Sequence, residues 1–258
     1  MSSIDPSRCD QAAATLLRVF ADALPRGYRE PMPARCVRVL LLDASRWLAL
    51  TPAARKWLDS AETARVARKR FAQDRELLTL AYAAHRLWLA VSLQCDPIQV
   101  PLIRDQRGCP QVPGTPLHTS LSHCDTAVAI ALSTAGAIGI DIEPASRAHG
   151  LSDLAERIAH PAELVTLDGL PAHAREAMLL RLWVRKEAWL KAAGVGLAWE
   201  MSAFAAATDA PVVFAGHPEL DLQVTDFTEP AAWYAATAVA PGVAVDWAWL
   251  QPDNASLA

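Results

Sequence analysis

The sequence predicts an α+β protein in which small, mainly antiparallel sheets pack against helices. Short apolar runs bounded by turn residues, such as 36–43, 127–133 and 137–143, are typical of buried strands. Helical periodicity covers about 59–93 and about 173–193. Runs of both kinds alternate along the chain, which favours a mixed architecture over an all-helical or all-strand one.

A faint internal similarity suggests how these elements are arranged. The segments 126–136 and 233–242 resemble each other about 107 residues apart, which could mark two related halves or merely two alanine-rich strands. The length of 258 residues allows one large domain or two of about 130. We interpret the similarity as a pseudo-twofold repeat, with an N-terminal half at 1–135 and a C-terminal half at 136–258. The candidate site is expected at their interface.

Composition excludes several classes of protein. The chain is 52% hydrophobic with nine Trp, so it is not disordered. The net charge of −4 argues against generic nucleic-acid binding, although 17 of the 24 Lys and Arg lie within residues 1–135. The five cysteines are scattered without a CxxC, which favours neither disulfides nor zinc. The sequence contains neither a P-loop nor a GxGxxG pattern.

The first residues and the longest apolar run bear on location. MSSIDPSRCD lacks the charged-then-apolar layout of a signal peptide. The apolar run 126–140 is shorter than the roughly 18 residues that a spanning helix needs, and it continues into Asp141 and Glu143. We therefore expect a cytoplasmic protein that contacts neither membrane nor nucleic acid.

The segment GIDIE, at 139–143, carries the first chemical signal. On a strand Asp141 and Glu143 face the same side, where two like charges repel and are costly to desolvate. A divalent cation resolves both problems, and oxygen ligands without Cys or His indicate Mg²⁺, or Mn²⁺, rather than zinc. The alternative is a strand end that emerges into water with both carboxylates solvated.

The helix motif WVRKEAWLK, at 183–191, carries the second signal. Glu187 and Lys191 are four residues apart and share a stripe with Leu180 and Val184, which predicts partial burial. Facing a bound metal, such a pair would supply a third ligand or a base, together with a cation for phosphate. The alternative is an ordinary surface ion pair favoured by the helix dipole.

Two weaker signals remain. SLSH, at 120–123, ends a predicted strand, so Ser122 and His123 could donate to a phosphate oxygen, although a lone His is more often structural. A Ser–His–Asp hydrolase site is disfavoured because no GxSxG accompanies it. The basic run from Arg65 to Arg75 is either a solvated helix face or a cationic rim for phosphates or an acidic partner.

Taken together, these motifs resemble the 4′-phosphopantetheinyl transferase superfamily. The family pattern is (V/I)G(V/I)D(I/V)E, some 40 residues, then W(S/A/T/V)xKE(A/S)xxK and GxGL; here 44 positions separate Glu143 from Glu187. SLSH is similar to the family's N(I/L)SH, and GCP at 108–110 to its G(K/R)P. The resemblance spans roughly 65–204. The length favours the Sfp-type class, which is monomeric and built of two halves.

The resemblance implies an activity. Such an enzyme transfers the phosphopantetheine arm of coenzyme A to a serine of an apo acyl or peptidyl carrier protein and releases adenosine 3′,5′-bisphosphate. Asp141, Glu143 and Glu187 would hold Mg²⁺, Glu187 would also be the general base, and Lys191 would neutralise the diphosphate. Further residues are implied to contact coenzyme A: Lys69, Arg70, Arg75, Arg86, Arg107, Ser122, His123 and Lys191.

The sequence also departs from the family pattern. Cys109 replaces the basic residue of G(K/R)P, a loss for which Arg107 or a residue of the basic run could compensate. Ser120 replaces the asparagine, and Leu77 and Leu78 stand where polar nucleotide contacts are expected. An alternative is therefore a degenerate homologue that binds coenzyme A or a carrier without turnover. A Mg²⁺-dependent diphosphate hydrolase is disfavoured because the chain lacks a Nudix-type glutamate-rich helix.

Overall fold

Two four-stranded sheets lie face to face between helices in the computed structural model. It describes residues 6–105, 108–196, 199–208, 210–212, 214, 220–227 and 232–252, with side chains from residue 11 onward. The α-helices of this part are α1 (Pro6–Ala23), α2 (Thr51–Ala54), α3 (Ser60–Ala67), α4 (Ala72–Leu93), α5 (Ala155–Ile158), α6 (Pro161–Asp168) and α7 (Ala172–Ala193). Its strands are β1 (Val37–Asp43), β2 (Ile103–Arg104), β3 (Pro110–Gln111), β4 (His118–Cys124), β5 (Ala127–Ser133), β6 (Gly139–Pro144), β7 (Pro211–Val212), β8 (Leu222–Phe227), β9 (Trp233–Val239) and β10 (Val245–Leu250).

The strand orders are β10-β1-β5-β4 in the first sheet and β6-β9-β8-β7 in the second. Every pairing within these two sheets is antiparallel except β1 with β10, which is parallel. A short antiparallel pair, β2 with β3, stands apart. These features confirm the predicted α+β class with small, mainly antiparallel sheets.

The unbroken apolar run of β5 follows from burial on both faces. Val128, Ile130 and Leu132 point into a core with the N-terminal helices, chiefly α4. The intervening Ala127, Ala129 and Ala131 point into a second core between the two sheets. A strand covered on both faces does not alternate polar and apolar residues, which is why the sequence pattern here resembles a short membrane segment.

Each sheet contains one copy of the same unit. β1, α4, β4 and β5 follow one another with sheet order β1-β5-β4, while β6, α7, β8 and β9 follow one another with the equivalent order β6-β9-β8. Both long helices have 22 residues. The two faintly similar segments of the sequence fall on β5 and β9, the equivalent strands. The division at residue 135 stays a prediction, because β10 follows the second unit and pairs with β1 of the first.

One predicted helix differs from the structure. The helical pattern from about 59 to 93 is divided into α3 and α4 by a turn at 68–71. Arg75 Nη1 donates to the backbone carbonyls of Lys69 and Arg70, at 3.0 and 2.9 Å. A side chain from the next helix thus supplies the hydrogen bonds that a continuous helix would have made.

The second long helix matches the prediction closely. α7 ends at Ala193, and Gly194 follows in the left-handed conformation with φ 70°, as expected of a C-terminal glycine cap. No helix in the part of the chain that the structure describes is long and apolar enough to cross a membrane.

Candidate active site

The strand β6 and the helix α7 bring the two strongest motifs together. Along β6, Ile140 and Ile142 point into the core between the sheets, so the alternate residues Asp141 and Glu143 face the other way, toward α7. Contact between the two elements is very close at Gly139. A Cβ at that position would lie 1.9 Å from the backbone oxygen of Ala188.

Lys191 connects α7 to β6 and to β4. Its Nζ lies 2.6 Å from Asp141 Oδ1, 3.0 Å from Ser122 Oγ and 3.0 Å from the backbone oxygen of Ile140. Ser122 Oγ in turn donates to Asp141 Oδ1 at 2.8 Å. The other carboxylate oxygen, Asp141 Oδ2, is buried and accepts no hydrogen bond. Buried carboxylate oxygens are costly to leave without a partner, so Oδ2 is available to a ligand.

Glu143 pairs with a residue that the sequence analysis missed. Arg147, in the short 3₁₀ turn Ala145–Ala148, places Nη1 2.9 Å from Glu143 Oε1. Its guanidinium carbon lies over the ring of Trp183, 5.1 Å from the ring centroid. The one sequence signal for Arg147 was its position four residues after Glu143, which is uninformative outside a helix.

Burial and mutual repulsion shift the pKa of two of the carboxyls. Burial, and secondly the charge of Asp141, raises the pKa of Glu143 to about 7 against the opposing effects of Arg147 and Lys191. The pKa of Glu187 is raised for the same two reasons. The three carboxylates therefore act on one another, and Lys191 and Arg147 only partly offset their charge.

The donor set fits a hard divalent cation. In their present conformations, no three or more His, Cys, Asp or Glu side chains within the described ranges form a metal cluster. The ammonium of Lys191 contacts Asp141, and the guanidinium of Arg147 contacts Glu143. The orphaned Asp141 Oδ2 and the raised pKa of Glu143 and Glu187 nevertheless indicate that additional positive charge would be stabilising here. Carboxylate oxygens favour Mg²⁺ or Mn²⁺.

A polar cleft of about 510 Å³ opens on the Glu143 side of this centre. Lys69, His123, Glu143 and Arg147 are among its lining residues. Burial, followed by the charges of Lys69 and Lys191, lowers the pKa of His123 to about 4. His123 is thus a neutral hydrogen-bonding group near pH 7, while Lys69 and Arg147 are the cations of the cleft.

A second cleft, of about 470 Å³, opens on the other side of the centre. Glu187 and Lys191 line it together with the loop residues Gly108 and Cys109. The guanidinium of Arg65, from the basic run, lies against this loop: Nη1 would be 3.1 Å from a Cβ at Gly108. A cation from α3 is therefore adjacent to Cys109, where the sequence lacks the expected basic residue.

The structure does not bring all the predicted coenzyme A contacts to the clefts. Arg86 is 5% exposed and its Nη2 pairs with Asp59 and Glu62, each at 2.9 Å. It is a buried ion-pair residue that joins α4 to the start of α3, so we leave it out of the proposed site. Arg70 is exposed and lies over the ring of Phe71.

The remaining basic candidates have other positions. Arg75 holds the turn before α4, as described above, and Arg107 lies outside the described residues. Leu77 and Leu78 are both buried, and Leu77 also lines the polar cleft. Of the predicted cations that lie within the described residues, Lys69 and Lys191 are the two that line the clefts.

Comparison with known proteins shows which family this chain is similar to. Residues 137–247 match the model of the 4′-phosphopantetheinyl transferase superfamily. The chain is 33% identical to the 4′-phosphopantetheinyl transferase HetI of Nostoc sp. PCC 7120 over 145 residues, 55% of this chain and 61% of that protein. It is 34% identical to the 4′-phosphopantetheinyl transferase AcpT of Escherichia coli O157:H7 over 101 residues, 39% of this chain and 51% of that protein.

A third relative is the 4′-phosphopantetheinyl transferase of Bacillus subtilis, 30% identical over 110 residues, 42% of this chain and 48% of that protein. The chain thus spans about half to three fifths of the length of these relatives. The resemblance drawn from the two motifs is confirmed, in that residues 137–247 match the model of the 4′-phosphopantetheinyl transferase superfamily. Assignment to the Sfp-type class stays a prediction.

Proposed function

We propose that this protein transfers the 4′-phosphopantetheine arm of coenzyme A to a serine of an apo acyl or peptidyl carrier protein. Adenosine 3′,5′-bisphosphate is the second product. One observation carries the proposal: Asp141 and Glu143 on β6 lie close to Glu187 and Lys191 on α7. These four side chains lie between the polar cleft and the second cleft. The names of the matched relatives support the same activity.

Asp141, Glu143 and Glu187 are the proposed ligands of Mg²⁺, with Mn²⁺ as a substitute. When bound, the divalent cation offsets the negative charge of the diphosphate while its P–O bond breaks. Asp141 has the strongest case, because Oδ2 is buried without a partner while Oδ1 is held by Lys191 and Ser122. One carboxylate oxygen is thereby fixed by protein groups and the other is available.

Glu187 is the proposed general base. Its raised pKa makes it a stronger proton acceptor than an exposed carboxylate, and it lines the second cleft, from which a carrier serine could approach. Glu187 accepts the hydroxyl proton directly or through a water. The serine oxygen then bonds to the phosphorus that carries the pantetheine, and the P–O bond to the other phosphate breaks, leaving its electron pair on adenosine 3′,5′-bisphosphate.

Other groups bind and orient the diphosphate. Lys191 supplies a fixed positive charge between the clefts, and Lys69 supplies one from the rim of the polar cleft. His123 is neutral, so it donates a hydrogen bond to a phosphate oxygen rather than a full charge. We also propose that Arg65 provides the cation that Cys109 does not.

The competing proposal is a homologue that binds coenzyme A or a carrier protein without turnover. Cys109 and the burial of Arg86 favour it, since two expected nucleotide contacts are missing. The retained set of Asp141, Glu143, Glu187 and Lys191 favours turnover, because binding alone does not need a base. We therefore favour phosphopantetheine transfer over binding without turnover.

The deciding experiment is the intact mass of an apo carrier protein after incubation with this chain, coenzyme A and Mg²⁺. We expect the mass to rise by one phosphopantetheine arm, and EDTA to prevent the rise. A panel of acyl and peptidyl carriers covers the fatty-acid, polyketide and nonribosomal peptide systems. No mass gain on any of them, with coenzyme A binding retained, would favour the homologue without turnover.

Several properties stay predictions that the same protein preparation can test. We expect a monomer with halves at 1–135 and 136–258, located in the cytoplasm and without affinity for nucleic acid or membranes. Light scattering of the purified chain measures its mass in solution, and a dimer would contradict the first of these expectations.

A further inference from the structure

Arg147 is a cation at the mouth of the polar cleft to which neither the family motifs nor the proposed mechanism gives a task. Its side chain is 47% exposed, and it lines the cleft together with Lys69 and His123. The cations that line this cleft are Arg147 and Lys69, which face three carboxylates, those of Asp74, Asp125 and Glu143. A polyanionic ligand in the cleft would meet both.

The ion pair with Glu143 does not account for Arg147 by itself. The arginine end of the pair is 47% exposed and open to solvent screening, although the carboxylate end is 14% exposed. Arg147 Nη1 contacts Glu143, but a guanidinium has five N–H donors, more than one carboxylate oxygen engages. Its guanidinium carbon lies over the ring of Trp183, 5.1 Å from the centroid, and a planar guanidinium matches phosphate oxygens in a bidentate manner.

The charges around Glu143 indicate when the ion pair would exchange. In the ligand-free protein Arg147 Nη1 lies 2.9 Å from Glu143 Oε1. A divalent cation held by Glu143 would take over the neutralisation of that carboxylate, and the guanidinium of Arg147 would then be available to a diphosphate in the cleft. Loading of the site would therefore favour moving Arg147 from carboxylate to phosphate.

We propose that Arg147 binds the diphosphate of coenzyme A, and that it exchanges Glu143 for this ligand when the site is loaded. The proposal rests on the proposed function, in that coenzyme A is taken as the ligand. Trp183 is the positioning residue, because its ring supports the guanidinium in both arrangements.

The test is calorimetric titration of coenzyme A into the carrier-free protein, with Mg²⁺ and separately with EDTA. Arg147→Gln is expected to weaken binding about tenfold with Mg²⁺, equivalent to about 1.4 kcal/mol, and by less with EDTA, because Glu143 then still holds Arg147. Arg147→Lys keeps the charge but not the planar fork and is expected to lie between wild type and Gln. The matched control is Arg157→Gln, which removes an exposed arginine that lines neither cleft and should bind as wild type does.

Two further titrations separate direct binding from an effect through Glu143. In a Glu143→Gln background with EDTA, Arg147→Gln should still weaken coenzyme A binding; disappearance of its effect would mean that Arg147 acts only by neutralising Glu143, and would overturn the proposal. With dephospho-coenzyme A, which lacks the 3′-phosphate, the effect should persist. Its disappearance there would assign Arg147 to the 3′-phosphate and overturn the diphosphate assignment.

The wild-type titration distinguishes a failure of the proposed function from a failure of the role proposed for Arg147. Wild-type protein that binds no coenzyme A and modifies no carrier would overturn the proposed function, and this inference with it. Wild-type binding together with unchanged binding by Arg147→Gln would overturn only the assignment of Arg147.

Discussion

Three acidic side chains and two basic ones share one half-buried centre, and most of its properties follow from that imbalance. Asp141 is held by Lys191 and Ser122, whereas Glu143 and Glu187 keep a raised pKa despite the nearby cations. A centre with excess negative charge is stabilised by binding a cation and is also a source of proton acceptors. Both properties are needed for the proposed transfer.

Replacing Glu187 by Gln removes the proton acceptor with almost no change of shape. The rate of transfer to the carrier is expected to fall roughly 10³-fold, because general base catalysis accelerates a reaction by about that factor. Coenzyme A binding should remain measurable, since Lys191, Lys69 and His123 are unchanged. The rate is followed by intact carrier mass and the binding by calorimetry. Unchanged turnover would remove Glu187 from the mechanism.

The pKa of Glu143 predicts how metal binding depends on pH. With a pKa of about 7, its carboxyl holds a proton below neutrality, and that proton competes with Mg²⁺. The Mg²⁺ concentration for half-maximal transfer should therefore fall as the pH rises from about 6 to about 8. His123, with a pKa of about 4, stays neutral over this range and adds no dependence. Glu143→Gln should need more Mg²⁺ and lose most of the slope; an unchanged slope would exclude Glu143 as its source.

Arg65 and Cys109 together test whether a displaced cation compensates for a missing one. Arg65→Gln should raise the Michaelis constant for coenzyme A about tenfold, because it removes the guanidinium beside Gly108. Adding Cys109→Lys to that variant should recover most of the loss. Arg68→Gln, from the same basic run, is the matched control. Equal Michaelis constants for the wild type and Arg65→Gln would contradict this role for Arg65.

Single residues also show where reading the sequence succeeded and where it failed. Asp141 and Lys191 were chosen for spacing, and the structure brings them to 2.6 Å. Arg86 was chosen by resemblance, but its ion pairs with Asp59 and Glu62 depend on how α3 packs on α4. Arg147 was missed because its contacts with Glu143 and Trp183 arise in a turn between a strand and a distant helix. Residue type and spacing thus selected Asp141 and Lys191 on two different elements, whereas contacts that depend on helix packing or on a turn left no signal in the sequence.

Among the elements, β6 and α7 position the site by their unusually close approach. Gly139 on β6 and Ala188 and Ala192 on α7 form the contact, and each lacks a bulky side chain. The glycine of GIDIE is therefore explained by packing: with φ outside the left-handed region, it is required for space rather than for backbone conformation. Helix and strand at this distance bring the short Asp141 side chain within reach of Lys191.

Gly139→Ala tests that explanation. The new Cβ would lie 1.9 Å from the backbone oxygen of Ala188 and 2.6 Å from the backbone nitrogen of Ala192, so the helix must move away from the strand. We expect a loss of stability of about 3 kcal/mol in urea unfolding and a marked loss of transfer activity. Gly27→Ala is the control, since no atom lies within 4 Å of its added Cβ. Near-wild-type stability for Gly139→Ala would mean that this contact is easily relaxed.

The elements themselves were largely predictable, with two kinds of exception. α7 and β5 were predicted from periodicity and from an apolar run, because their own residues determine those patterns. The break between α3 and α4 was not, because Arg75 replaces the missing hydrogen bonds from outside the turn. The short strands β2 and β3 were also missed, since two residues each are too few to show a period.

At the scale of the whole molecule, the repeated unit explains how strands from both units contribute side chains to the centre. Each unit places one long helix against one sheet, and the two sheets share a core to which both contribute. The two first strands differ on the face that meets the long helix: Asp141 and Glu143 on β6 face α7, whereas Leu40 and Leu42 on β1 point into the core with α4. The first unit contributes Ser122 and His123 from β4.

The strand β10 makes the stability of the two units interdependent. It follows the second unit, pairs with β1, and contributes the fully buried Leu250 to the core beside α4. Trp249 packs on Trp233 of β9, with ring centroids 5.1 Å apart. Unfolding of either unit therefore removes contacts from the other, and we expect both to unfold in a single transition.

Leu250→Ala tests this coupling. The truncation leaves a cavity in the core of the first unit and should cost about 3 kcal/mol, while Ile98→Ala, at a side chain that is 77% exposed, should change stability by less than about 0.5 kcal/mol. Urea unfolding is followed by Trp fluorescence, which reports on both units because Trp88 lies in the first and Trp189 in the second. The transition should move to lower urea and remain single. A second transition in Leu250→Ala, with part of the fluorescence change left at the wild-type midpoint, would show that the C-terminal unit is stable without β10 and that the halves fold independently.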